Sequence, residues 1–229
     1  GHFGTERVFG RERLRDDETD EEFIGLNMVR YIPSEEANLL RPSKTDHSFT
    51  PEVTDSLKDA INYFWLACAA RAARGQLHQH MTMLVHSSQL IQVHNATVKQ
   101  IDAYRKSILR LIQREADVTH YVDYLRSLWE REHTAVLSSG FGLEYVPFEA
   151  LAEYLPDVID TTLCVVDNSQ SSNRLTYDEG PRIQIAVGGN TLSRGLTLEG
   201  LIVSYFVRSA NAYDTLLQMG RWFGYRPGY

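Results

Sequence analysis

Residues 182–226, RIQIAVGGNTLSRGLTLEGLIVSYFVRSANAYDTLLQMGRWFGYR, constrain the fold of this chain most. Two short apolar runs, 183–187 and 201–207, read as buried strands, because each is too short for a helix and ends in glycine or polar residues. The first opens into a glycine-bearing turn. After the second, a helix-like segment over 212–219 delivers Gly220-Arg221 and then Gly224-Tyr225-Arg226. At the first turn, Gly188 and Gly189 leave the strand where backbone N–H groups can point outward, and Asn190 and Thr191 add side-chain donors. That set suits an anion. The two glycines equally permit a plain tight turn. Arg194 can bind a phosphate or pair with a carboxylate such as Glu199.

The same grammar recurs upstream. MTMLVH, residues 81–86, is a third apolar run, and it opens into Ser87-Ser88 ahead of a long amphipathic helix with Leu90, Val93, Val98, Ile101, Ile108 and Leu111 on one side. Strand, polar turn, helix is the opening of an α/β unit. Ser87 can cap that helix, and the N–H groups it would satisfy suit a phosphate as well. LCVVDNS, residues 163–169, is a further strand. It places Asp167 where parallel strands present functional groups, though Asp167 also fits an Asx-turn. Between these strands lie about 75 residues, longer than an ordinary crossover. Helical periods at 121–129 and 148–154 make this stretch a helical insertion, and His94-Asn95 within it reads as polar helix surface.

Ahead of the first strand, Thr50 and Pro51 suit a helix start, Leu57, Ile61, Phe64 and Cys68 follow at helical spacing, and Gly75 suits the C-terminal stop. Residues 1–50 are expected to form an extended, partly disordered connector. RERLRDDETDEE at 11–22 mixes charges densely, FIGLNMVRYI at 23–32 could supply one strand, and Pro33, Pro42 and Pro51 punctuate the rest of the lead-in.

A formal net charge of −7 supplies no global field toward nucleic acid, so any such contact is a local patch. Cys68 and Cys164 form no CxxC pair, and neither zinc nor redox motifs are supported; no metal ligands stand out. No apolar run approaches the roughly 20 residues needed to span a bilayer, and no signal peptide is evident, which leads us to expect a cytoplasmic protein without a membrane partner.

RGLTLEGL resembles motif V, and QMGRWFGYR motif VI, of the second RecA-like domain of superfamily-two helicases. MLVHSS, GGNTLSRGLTLEGL and QMGRWFGYRPGY together resemble the helicase-associated Z-one domain over most of the chain, a family whose proteins often carry an endonuclease label. The resemblance implies nucleic-acid contacts, to DNA by expectation, from His86, Ser87, Ser88, Gly189, Asn190, Thr191 and Arg194. It implies ATP contacts from Gly195, Thr197, Gln218 and Gly220, although many superfamily members have Asp where this chain has Thr197. It makes Arg221 or Arg226 the arginine finger. Five residues apart, these two lie about 140° around a regular helix, so a bend at Gly224 is expected if both are to face one phosphate.

The expected fold is therefore α/β, a mostly parallel sheet flanked by helices: a RecA-like C-terminal helicase domain over 51–229, with its insertion at about 89–160 and its end just after motif VI. No GxxxxGK[ST] loop or DExx-type acidic strand occurs, so ATP and Mg²⁺ would be held with an N-terminal RecA-like domain of the same parent protein, and this segment alone is expected to be inactive. A metal-dependent endonuclease component and a non-catalytic interaction module are the alternatives. No PD…ExK or HNH arrangement supports the first.

Overall fold

The computed structural model describes residues 26–42, 49–88, 90–114, 118–167, 177, 180–188 and 198–207. Four strands lie where the apolar runs predict them: β1 (Met81–His86), β2 (Leu163–Asp167), β3 (Ile183–Gly188) and β4 (Leu201–Phe206). All pair in parallel, in the order β2-β3-β1-β4. β1 is buried at every residue, as expected of a strand covered on both faces. Met81, Met83 and Val85 face the helices, and Leu84 and Ala186 form a smaller cluster with Leu198 on the other side. The fold is thus α/β with an all-parallel sheet, consistent with a RecA-like domain.

The helices are α1 (Ser34–Leu40), α2 (Asp55–Ala73), α3 (Ile91–Gln113), α4 (Val118–Ala135), α5 (Phe148–Ala152) and α6 (Leu155–Thr161). α2 is the central one. It is apolar around most of its circumference, burying Leu57, Ile61, Phe64, Trp65, Leu66, Cys68 and the alanines 69, 70 and 72. A helix of that character has to be covered on all sides. It packs on β1 and β4 on one side and on α4, α5 and α6 on the other, while α3 crosses β2 and β3. The residues between β1 and β2 therefore share one core with α2 and the sheet.

A buried polar cluster fixes that arrangement. Asn62 on α2 is fully buried, donating to Tyr104 Oη of α3 at 2.8 Å and to Tyr124 Oη of α4 at 3.3 Å, and accepting from Tyr121 Oη at 2.7 Å. Tyr124 donates in turn to Asp59 Oδ1 at 2.5 Å. Burial of the amide without these partners would be costly, so the cluster ties both insertion helices to one register on α2.

One expectation is corrected at α2 and two in its lead-in. The helix begins four residues later than Thr50 suggests: Thr54 caps it, its Oγ1 accepting from the Leu57 amide at 3.4 Å. The Glu52 amide donates to the Leu39 carbonyl at 3.1 Å, which holds the residues after Pro51 against α1 instead of letting them wind. Within the expected extended connector, Ser34–Leu40 forms α1. Its Leu40 is fully buried, and Glu36 accepts from the Ser56 amide at 2.9 Å and the Ser56 hydroxyl at 2.6 Å. Residues 26–32 form no strand. At the other end Gly75 behaves as expected, with φ +75°. Its amide reaches the Ala72 carbonyl at 2.8 Å, and Gln76 reaches Arg71 at 2.9 Å, a Schellman closure.

Candidate functional site

The carboxyl ends of the four strands fall on one row. Asp167 pairs with Gly188, Val85 pairs with Val187, which sets His86 level with Gly188, and His86 pairs with Phe206. Residues level across a parallel sheet project from the same face. Asp167 and His86 are therefore neighbours two strand spacings apart, roughly 10 Å, with Gly188 between them. Asp167 is 2% and His86 4% exposed. The His86 ring stacks on Phe206, centroids 4.8 Å apart and planes 29° from parallel, and the Val207 amide donates to the His86 carbonyl at 2.9 Å.

Beyond His86 the chain turns through Ser87 and Ser88 into α3. The expectation that Ser87 caps this helix is not met. The helix begins at Ile91 with Leu90 as its N-cap, and no side chain among the described residues caps it. Ser88 Oγ accepts from the Leu90 amide at 3.1 Å, stabilising the turn that precedes the helix. Ser87 is 2% exposed, and its hydroxyl has no hydrogen-bond partner among the described residues. A buried hydroxyl without a partner costs stability, which distinguishes Ser87 from Ser88 in this turn.

His94 supplies the third part of this turn. It is 2% exposed, not on the polar surface that the helical pattern suggested, because it lies seven and fourteen residues before Ile101 and Ile108 and so shares their buried stripe. That spacing was visible in the sequence and could have revealed it. Its Nε2–H donates to the Ser88 carbonyl at 2.8 Å, which assigns the proton to Nε2 and leaves Nδ1 buried as the acceptor nitrogen. Burial lowers the His94 pKa, and the Ser88 carbonyl offsets part of that effect.

At the opposite, amino ends of the strands lies a second polar group. His80 Nδ1 accepts from the Arg182 amide at 3.2 Å, leaving the Nε2 proton toward Glu199 Oε2 at 4.0 Å. The carboxylate considered as a partner for Arg194 thus lies beside His80. Gly200 follows it at φ +66°, with its carbonyl accepting from the Thr82 amide at 2.7 Å. The sequence reading assigned Gly200 no role.

Of the sequence-predicted contacts, His86, Ser87 and Ser88 come together at the carboxyl end of β1. Gly189, Asn190, Thr191, Arg194, Gly195, Thr197, Gln218, Gly220, Arg221 and Arg226 lie outside the described residues. Among the described residues no group of three His, Cys, Asp or Glu is placed to hold a metal ion, and no helix is long and apolar enough to cross a membrane. Burial pushes the Cys68 thiol well up; burial and then the nearby Asp102 charge push Cys164 to about 12. Neither is poised as a nucleophile.

Comparison with known proteins gives one match. A family model described as Z1 domain covers residues 56–229, taking in all of α2 but its first residue and everything after it. No curated protein and no solved structure matches the chain.

Proposed function

The chain belongs to the Z1 domain family, and from that premise we propose that it is the C-terminal motor half of a superfamily-two helicase- or translocase-like ATPase acting on nucleic acid. The observation that carries this reading is the single row of carboxyl ends, where a parallel sheet brings the serine turn, Asp167 and Gly188 together. Ligands of open parallel sheets bind outside that edge.

In this reading the start of α3, beside the buried Ser87 hydroxyl, meets the phosphate backbone of DNA, joined by Gly189, Asn190, Thr191 and Arg194 that follow β3 in the sequence. Gly195, Thr197, Gln218 and Gly220 face ATP. Arg226 or Arg221 neutralises charge on the transferring γ-phosphoryl group. An N-terminal RecA-like domain of the parent protein supplies the phosphate cradle and the carboxylate that holds Mg²⁺. This chain alone then turns over no ATP, since stabilising a transition state requires the substrate to be held opposite the finger.

The test is ATP turnover by the chain joined to such an N-terminal domain, with Mg²⁺ and DNA, for the wild type, Arg221→Ala and Arg226→Ala. Loss of the finger slows turnover about 10³-fold or more and leaves nucleotide binding within a few-fold. Wild-type turnover in both variants refutes the assignment. Mn²⁺-dependent DNA nicking by the isolated chain would favour an endonuclease component. A folded, inactive chain whose arginines do not affect its parent would favour an interaction module.

A further inference from the structure

We infer that His94 is a positioning residue for the serine turn, holding the Ser88 carbonyl so that the start of α3, with the buried Ser87 hydroxyl behind it, is presented to a nucleic-acid phosphate. The inference rests on the reading of that turn as a nucleic-acid contact. Three observations assign the roles. Ser88 is spent on the turn itself, its hydroxyl accepting from the Leu90 amide and its carbonyl from His94. Ser87, one residue earlier, has a buried hydroxyl with no partner among the described residues. His94 reaches back six residues from the first turn of α3, so a single side chain couples the orientation of the helix to the path of the chain leaving β1. Because it is buried and packs in line with Ile101 and Ile108, its donor is held in place by the core that seats α3.

Removing the donor leaves the Ser88 carbonyl without it and frees the turn to rotate, which separates the helix start from Ser87. Affinity for a phosphate backbone then falls even though no group that touches the ligand has changed.

The experiment measures binding of a short fluorescein-labelled single-stranded DNA by anisotropy over a salt series, using the full chain. The variants are His94→Leu, which keeps bulk and removes the donor, and His94→Gln, whose terminal amide restores an N–H at similar reach. Urea unfolding of each variant confirms that binding is compared between folded proteins. His94→Leu is expected to weaken binding about tenfold and to lower the salt slope by about one phosphate contact, and His94→Gln to recover wild-type affinity within about threefold. If the Leu variant does not fold, His94→Asn, whose amide stops short of the Ser88 carbonyl, takes its place. Wild-type affinity and slope in the donor-less variant overturn the positioning role and leave the nucleic-acid reading standing. Equal weakening by Leu and Gln also overturns it, assigning His94 to packing alone. Failure of the wild-type chain to bind DNA at low salt removes the underlying reading, and the inference with it.

Discussion

Replacing Gly200 by alanine tests how β4 is set against β1. A Cβ at Gly200 would lie 1.8 Å from the His80 carbonyl oxygen, 2.4 Å from its carbon and 3.0 Å from the Met81 nitrogen, all backbone atoms at the entry to β1. The approach is this close because the Thr82 amide donates to the Gly200 carbonyl and Thr82 Oγ1 to the Glu199 carbonyl, each at 2.7 Å. No rotamer change relieves a clash between Cβ and backbone, so the two segments must separate. The left-handed φ of +66° costs an alanine about 1–2 kcal/mol, the lost hydrogen bond about 1, and the displacement about 1–3, giving about 3–6 kcal/mol in all. Gly75 is the matched control, with φ +75° and nothing within 4 Å of its virtual Cβ, so Gly75→Ala is expected to cost only about 1–2 kcal/mol. Urea unfolding followed by far-ultraviolet circular dichroism measures both. If the two variants agree within about 0.5 kcal/mol, the close approach is not what demands glycine at 200 and the reasoning fails.

Asn62→Leu is expected to destabilise the protein by about 3 kcal/mol or more, because it strips partners from Tyr104, Tyr121 and Tyr124 at once; urea unfolding within about 1 kcal/mol of wild type would show the cluster to be dispensable. For His94, whose folded pKa is lowered by burial, the unfolded state binds the proton first, so stability is fully present above pH ~6.5 and declines as pH falls below it. The loss between neutral and mildly acidic pH should shrink in His94→Gln, and an unchanged pH dependence would rule out this linkage. Cys68 and Cys164, both with raised thiol pKa values, should resist iodoacetamide near pH 8 until denaturant is added; labelling of Cys164 in the folded protein at the rate of a free thiol would contradict the burial described.

The strands were legible one at a time, because a short apolar run bounded by Gly, Ser or Asn states its length and burial locally. So was the stop of α2 at Gly75, where the closure involves only residues 71–76. The start of α2 was not legible, since Thr50 and Thr54 are both competent caps and the choice is made by Leu39, which engages Glu52 from α1. Ser87 shows the same division. Its type and place admit capping, but the helix begins at Ile91 and leaves the hydroxyl aside. His94 lay on the stripe of Ile101 and Ile108, yet polarity argued for solvent, and its bond to the Ser88 carbonyl is what lets the imidazole be buried there. Gly200 looked like one glycine among fifteen until β1 was laid against it. Taken alone, the sequence determined the four strands of the sheet and the long helices, and hence the α/β class, because periodicity and turn chemistry are properties of neighbouring residues; it missed α1 and offered a strand before it that does not form. Strand order, the meeting of Asp167, Gly188 and His86 on one row, and the partner of each buried polar group were decided by tertiary structure. Those depend on parallel pairing and hydrogen bonds between residues as far apart as His86 and Phe206, whose geometry exists only once the helices have packed the sheet.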